Sequence, residues 1–128
     1  MGLGVQKVRI EKVETNVNFK IKIFYVSLTL KFQNKPSIEI DFYEGDTIYS
    51  LYQIMELYFG SIRSRNINEL WGKDLLILQG KNPGDIAFSV PRHSGLSNSY
   101  GYGKWVILGS YDNIYSELEA KELLESKS

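Results

Sequence analysis

The sequence predicts one α+β domain over residues 1–128, in which an antiparallel, meander-rich sheet of about six strands carries one buried helix and a C-terminal acidic helix. Three observations lead to this prediction. Several short segments alternate between apolar and polar residues, as half-buried strands do. Residues 47–59 instead repeat their apolar positions at spacings of three and four, which indicates a helix. Turn-forming residues separate most of these segments, so consecutive strands can pair directly.

The first two predicted strands lie in the N-terminal part of the chain. Residues 5–13 alternate in polarity and predict a strand, with a turn after it at residues 14–18. Residues 19–32 show the clearest alternation, but their apolar positions change parity near Phe24 and Tyr25. Because a strand that buries one face keeps its parity, we interpret this change as a β-bulge. Two strands joined by a tight turn at the same point are the alternative.

A hairpin loop and a third strand complete the predicted meander. Residues 33–36 read QNKP, which is favourable turn chemistry, and residues 37–44 alternate again. Three apolar side chains of this strand are expected in the core: Ile38, Ile40 and Phe42. Its acidic residues point the other way and are expected to pair across the sheet with lysines. The expected pairs join Glu39 or Asp41 to Lys20, Lys22 or Lys31.

Residues 47–59 predict the buried helix. Only Glu56 is charged between Thr47 and Gly60, so the apolar face is wide and the helix is expected to lie across the sheet. Asp46 or Thr47 is the expected N-cap, and Gly60 is the expected C-terminal stop.

The chain after this helix predicts one helical turn and then the central strand. Asn66 and Glu69 have the spacing of a capping box, and Gly72 is expected to close the turn. Residues 75–78 are apolar throughout, which predicts a strand buried on both faces and therefore in the middle of the sheet. Residues 80–85 read GKNPGD and predict a tight turn.

Two further strands are predicted at residues 86–90 and 104–111, with a long connection between them. The connection, residues 91–103, is the only long one in the predicted domain, and such loops are functional or disordered. We call residues 91–103 the contact loop.

Residues 112–128 predict an acidic terminal helix. Asp112 or Asn113 is the expected cap, and Glu117 stands four residues before Lys121, a spacing that favours an ion pair. Three apolar residues are expected to face inward: Ile114, Leu118 and Leu124.

Composition excludes several classes of site. The chain has no cysteine and one histidine, which rules out disulfides, thiol catalysis, iron–sulfur clusters and zinc sites built from Cys or several His. We expect no cofactor and no metal. The net charge is zero, although residues 112–128 carry −3 and the rest of the chain +3. No secretory signal or membrane span is recognised, so we expect an intracellular protein, and the composition suits a hot source.

The order of elements resembles small uncharacterised proteins of phages and other mobile elements. In those proteins a β-meander leads to a helix, an L-x-G-K turn, a strand, and then a strand that bears a tryptophan. The matching pieces here are Leu70, Gly72, Lys73, residues 75–78 and Trp105. The resemblance covers residues 19–110 by order of elements, although residues 43–46 read YEGD where the family often has a Gly-rich segment. It implies a protein encoded by a virus or mobile element and implies no particular chemistry.

The contact loop favours protein recognition over catalysis. Gly103 and Lys104 fail as a phosphate-binding P-loop, because Asn98 stands where that motif needs glycine and Trp105 where it needs a hydroxyl. The loop is rich in Tyr, Ser, Gly and Asn, the residues that antibody paratopes use. We therefore expect a non-enzymatic binding module that contacts a protein partner or self-associates.

Two other functions remain open from the sequence. The first is binding of single-stranded DNA or RNA, because loop cations and tyrosines supply phosphate contacts and stacking platforms. The residues expected to carry this binding are Arg63, Arg65, Arg92, Tyr100, Tyr102 and Lys104. The second is a metal-independent ribonuclease, with His93 as acid or base and with Lys104 and Tyr100 stabilising the phosphate transition state. A surface histidine without catalytic function is the alternative for His93.

Overall fold

The computed structural model describes residues 3–18, 20–21, 23–43, 46–91, 103–110 and 113–126. Within them, six strands form one antiparallel sheet in the order β3-β2-β1-β4-β5-β6, with two α-helices and one short 3₁₀ helix. The strands are β1 (Gln6–Asn18), β2 (Ile23–Phe32), β3 (Ile38–Tyr43), β4 (Asp74–Gln79), β5 (Ile86–Ser89) and β6 (Trp105–Ile107). The helices are α1 (Asp46–Phe59), the 3₁₀ helix (Ile67–Leu70) and α2 (Glu117–Ser126). The predicted α+β class is confirmed.

β1 and β2 form a long hairpin that closes between Asn18 and Ile23. The Asn18 side chain accepts hydrogen bonds from the backbone N–H groups of Lys20, at 3.0 Å, and Ile21, at 3.4 Å. The turn predicted at residues 14–18 is wrong, because those polar residues continue β1 and pair with β2 to the end. Pairing with a neighbouring strand has overridden the weak strand propensity of the segment.

The change of parity along residues 19–32 marks this hairpin turn, so the bulge predicted near Phe24 and Tyr25 is wrong. The actual irregularity lies in the partner strand, between Ile10 and Lys12. There Ile10 N donates to the Lys73 carbonyl at 2.7 Å, at the point where pairing between β1 and β4 ends. The alternation alone locates a break in parity but does not tell a turn from a bulge.

The two faces of the sheet are covered unequally. We call the face of the sheet that carries the main core the inner face. α1 packs on this face, with Leu51, Ile54 and Met55 almost fully buried. α2 packs on the outer face through Ala120 and Leu124, which contact the apolar side chains of β4, β5 and β6. No described helix covers the outer face of β1, β2 and β3.

The middle of the chain follows its predicted structure closely. α1 ends at Gly60, whose φ of 72° is left-handed and whose N–H donates to the Glu56 carbonyl at 2.8 Å. β4 lies between β1 and β5 and buries Leu75, Ile77 and Leu78, as expected of a central strand. No helix in the described residues is long and apolar enough to cross a membrane.

The last strand and helix differ from their predictions. β6 has only three residues, after which Gly109, with φ of 83°, turns the chain back. Tyr115 then pairs with Trp105 through two backbone hydrogen bonds of 2.8 and 2.9 Å. Residues 113–116 are therefore extended, although the sequence assigned them to the helix, and α2 begins later than predicted.

A capping box starts α2 at Glu117. The Ser116 hydroxyl accepts a hydrogen bond from Glu119 N, and the Glu119 carboxylate accepts one from Ser116 N, both at 3.1 Å. The predicted cap at Asn113 is therefore wrong, while Asp112 lies outside the described residues. The later start also changes the buried face: Ile114 and Leu118 are 53% and 66% exposed, whereas Leu124 is buried as predicted.

Candidate functional site

The structure describes three of the residues predicted to bind: Arg63, Arg65 and Lys104. The other three, which are Arg92, Tyr100 and Tyr102, lie outside the described residues, as does His93, the proposed acid or base of the ribonuclease alternative. The ribonuclease hypothesis depends on His93 and stays a prediction.

Arg65 is held at the C-terminal end of α1. Its Nη1 lies 3.3 Å from the Glu69 carboxylate, and its guanidinium stacks 4.7 Å from the centre of the Phe59 ring. The carboxylate of Glu69 therefore pairs with Arg65, and the predicted capping box is only half formed. The half that forms is the hydrogen bond from the backbone N–H of Asn68 to the side-chain oxygen of Asn66, at 3.0 Å. A half-exposed ion pair of this kind contributes about 0.2–1 kcal/mol, and it leaves less positive potential for a phosphate.

Lys104 lies at the base of the contact loop, beside α1. The Ser89 hydroxyl donates to the Lys104 carbonyl at 2.5 Å, which fixes the end of the loop to β5. On α1, the Ser50 hydroxyl donates to the Ile107 carbonyl at 3.2 Å and accepts from Gly109 N at 3.0 Å. These bonds hold α1 against β6, so that the following turns of the helix lie next to Lys104.

A surface pocket of about 330 Å³ lies at this junction. We call it the α1 pocket, and its lining residues are Tyr49, Gln53, Glu56, Leu57, Gly60, Lys104 and Ile114. Three separate segments supply them: α1 from Tyr49 to its end, the base of the contact loop, and the extended chain before α2. Arg65 stacks on the residue next to Gly60, so the pocket and Arg65 belong to the same end of the helix.

Gln53 lines this pocket and has an unpaired polar atom. The residue is only 8% exposed, and its Oε1 is buried with no hydrogen-bond partner among the described residues. Leaving a buried acceptor unpaired costs about 1–3 kcal/mol, and native structures contain few such groups. The Oε1 atom of Gln53 therefore lacks a hydrogen-bond donor within the described residues.

The charges on α1 also favour a positively charged donor near Gln53. Glu56 follows Gln53 by three residues, so the two side chains share one face of the helix. Glu56 is exposed, and no ion pair of its carboxylate occurs within the described residues. The last turn of α1 has no basic residue, so the partial negative charge of the helix end is not offset there. One wall of the pocket thus favours cationic donors.

The rest of the pocket is apolar or positively charged. Leu57 and the 53%-exposed Ile114 form apolar surface, and Lys104 supplies a cation. The described residues hold no group of three His, Asp or Glu side chains close enough to bind a metal. The arrangement can bind a side chain that has an apolar stem and a donor at its tip.

Sequence reasoning missed Gln53, Glu56 and Ile114 as site residues. A signal was present, because positions 49, 53, 56, 57 and 60 recur at helical spacing and place a lone amide inside an apolar stripe. That pattern did not reveal which segment would lie opposite. The missing information was the tertiary structure: pairing of β6 with β5 places Lys104 beside α1, and the turn of the chain after β6 places Ile114 there.

The outer face of the sheet corrects another prediction. The Glu39 carboxylate accepts from the Ser27 hydroxyl at 2.7 Å, and that of Asp41 accepts from the Tyr25 hydroxyl at 2.9 Å. Neither acid forms the predicted ion pair with Lys20 or Lys31, and Lys22 lies outside the described residues. The register explains this result, because it places Glu39 opposite Thr29 and Asp41 opposite Ser27.

Comparison of the chain with protein-family models, with curated proteins and with solved structures gives no match in any of the three.

Proposed function

We propose that the protein is a non-enzymatic binding module that contacts a protein partner through the α1 pocket and the contact loop. The observation that carries this proposal is Gln53, which lines the pocket and whose buried Oε1 has no hydrogen-bond partner among the described residues. A donor group from a partner would pair this acceptor and remove its cost of about 1–3 kcal/mol. A second copy of the chain is the other partner that fits the proposal.

The chemistry of the pocket supports a lysine or arginine side chain as the inserted group. Its charged tip would meet Gln53 Oε1 and the Glu56 carboxylate, near the negative end of α1. Its methylene stem would lie along Leu57 and Ile114, as long basic side chains do on apolar surfaces. The Tyr-, Ser- and Gly-rich contact loop, which ends next to Lys104, adds adaptable contacts around this anchor.

The same wall counts against a phosphate backbone as the ligand of this pocket. Acceptor groups repel phosphate, and the positive charge of Arg65 is already matched by Glu69. The resemblance in the order of elements supports an origin in a virus or mobile element. The lack of cysteine fits a site of action inside the cell.

Selection from a library of displayed random peptides tests the proposal. Wild-type protein is expected to enrich peptides with a common basic residue, and both Gln53→Met and Glu56→Gln are expected to lose them. Gln79→Met and Glu122→Gln make the same chemical changes outside the pocket and are expected to bind as wild type does. Enriched peptides that bind all four variants equally would show that the pocket is not the site.

Self-association is measured separately, by sedimentation of the wild-type protein and of Gln53→Met over a range of concentrations. A wild-type dimer that Gln53→Met weakens identifies a second copy as the partner. If the protein forms no dimer and also enriches no class of peptides, the proposed function is wrong.

A further inference from the structure

Three cations are crowded on the outer face of β1 and β2. The register places Arg9 directly opposite Lys31 of β2 on one side and Asp74 of β4 on the other. Lys7 lies two residues before Arg9 on the same strand and therefore on the same face. Side chains directly opposite one another have Cβ atoms about 4.5–5.5 Å apart, and like charges in that position destabilise a sheet. We call Lys7, Arg9 and Lys31 the basic cluster.

One carboxylate serves two of these cations. The Asp74 carboxylate lies 3.6 Å from Lys7 Nζ and 3.6 Å from Arg9 Nε, and both basic side chains are 66% exposed. A charge-assisted hydrogen bond is shorter, about 2.7–2.9 Å, so Asp74 is divided between two partners and bound tightly by neither. Lys31 forms no ion pair within the described residues. The three positive charges therefore meet a single negative one.

The two acids of β1 form no ion pair with the basic cluster. The Glu11 carboxylate accepts from the Ser37 hydroxyl at 3.0 Å, and Glu14 pairs with Lys12. The acids of α2 form no ion pair with the basic cluster among the described residues, since the ion pair of that helix joins Glu117 to Lys121. Within the described residues, Asp74 is therefore the one acid that forms ion pairs with the basic cluster.

The cluster surrounds a space that suits a small anion. An open pocket of about 370 Å³ lies between the three basic side chains and Asp74, and Gln33 adds an amide at its edge. Arg9 can offer two parallel N–H donors to a tetrahedral anion, and the lysines act as point charges. The Gln33 amide can donate as well. Lys7, Arg9 and Lys31 are all exposed, so an anion can reach their side chains.

We infer that the basic cluster, with Gln33 at its edge, binds a phosphate group. This chemistry is shared by free phosphate compounds and by the backbone of a single-stranded nucleic acid. The site is on the opposite face of the sheet from α1, and the inference does not depend on the function proposed for the α1 pocket. The unfavourable pairing of Arg9 with Lys31 is then relieved when the anion is bound.

Two titrations at low salt test the inference and separate the two sources. In the first, inorganic phosphate is followed by heteronuclear NMR, and the backbone amide signals of residues 7–9 and 31–33 are expected to shift. In the second, a labelled oligo-dT strand is followed by fluorescence anisotropy as salt is raised. Lys31→Gln is expected to weaken the binding seen in either titration and to lower the salt slope by about 0.7 for each phosphate that it no longer neutralises.

Lys20→Gln is the matched control, because Lys20 belongs to the same hairpin but lies at its far end, next to Asn18. It is expected to bind as wild type does, and thermal melting confirms that both variants are folded. Shifts with phosphate but no binding of oligo-dT identify a small phosphate compound as the ligand, while binding of both identifies a nucleic-acid backbone. No response in either titration, or equal losses from Lys31→Gln and Lys20→Gln, would overturn the inference.

Discussion

Two side chains of this protein lie in positions that lower its stability. The Gln53 acceptor is buried without a partner in the described residues, and Lys31 lies opposite another cation. Most positions of a natural sequence agree with local packing rules, and exceptions concentrate where a protein has a task to perform. Gln53 belongs to α1, on the inner side of the sheet, and Lys31 lies on the outer face. Each of the two side chains lines a pocket.

The Gln53 exception has a measurable consequence for stability. Gln53→Met keeps the shape of the side chain and removes the unpaired acceptor, so the free energy of unfolding is expected to rise by about 1 kcal/mol. Urea denaturation measures the change. Gln79→Met, the matched control in β4, is expected to show no such gain. A loss of more than about 1 kcal/mol in Gln53→Met would show that the amide is satisfied in the folded protein.

Among the elements, α2 shows how a few local hydrogen bonds decide where a helix begins. The Ser116–Glu119 box sets the first residue of the helix and thereby which apolar residues face the sheet. The box was present in the sequence, yet Asp112 and Asn113 are equally acceptable caps by residue type. The pairing of Tyr115 with Trp105 excludes the earlier start, because it holds that segment in an extended conformation.

Ser116→Ala is expected to lower the free energy of unfolding by about 1 kcal/mol at neutral pH, because one orphan N–H of α2 loses its acceptor. Urea denaturation measures this loss, and circular dichroism reports whether α2 frays. Ser126→Ala removes a hydroxyl at the other end of the helix and serves as the control. Equal effects of the two variants would contradict a specific role for the box.

The acidic half of the same box makes stability depend on pH. Hydrogen bonds from the backbone and then the side chain of Ser116 lower the pKa of Glu119 in the folded protein. Its contribution is therefore present at pH values above the ordinary glutamate range and is lost as pH falls through the lowered pKa. Glu119→Gln is expected to remove this part of the acid sensitivity, which denaturation at neutral and acidic pH measures.

For the whole molecule, the outer face of the sheet is divided between a covered half and an open half. α2 covers β4, β5 and β6, while the open half carries the basic cluster and the Tyr25–Tyr43 ring pair, whose centres are 5.5 Å apart. α1 packs on the inner face, with contacts to β3, β5 and β6. The proposed protein contact and the proposed phosphate contact therefore lie on opposite sides of one sheet, where both can form at once.

The docking of α2 is tested by two leucines of the same helix. Leu124→Ala opens a cavity between α2 and β4–β6 and is expected to cost about 2–5 kcal/mol. Leu118→Ala truncates a side chain that is 66% exposed, and its effect is expected to stay within about 0.5 kcal/mol. Thermal and urea unfolding measure both changes. Similar losses in the two variants would support the helix face predicted from the sequence.

Short-range patterns in the sequence were sufficient for the class of the fold, for α1 and its end at Gly60, and for the central position of β4. Alternation, helical spacing and glycine conformations depend on neighbours in the chain, so they can be recognised without the tertiary structure. The hairpin turn after Asn18 and the start of α2 depended on which segment each strand pairs with. Gln53 and Lys104 line one pocket, and Arg9 lies opposite Lys31 on the next strand. Both pairs are far apart in sequence, so only the folded chain brings them together.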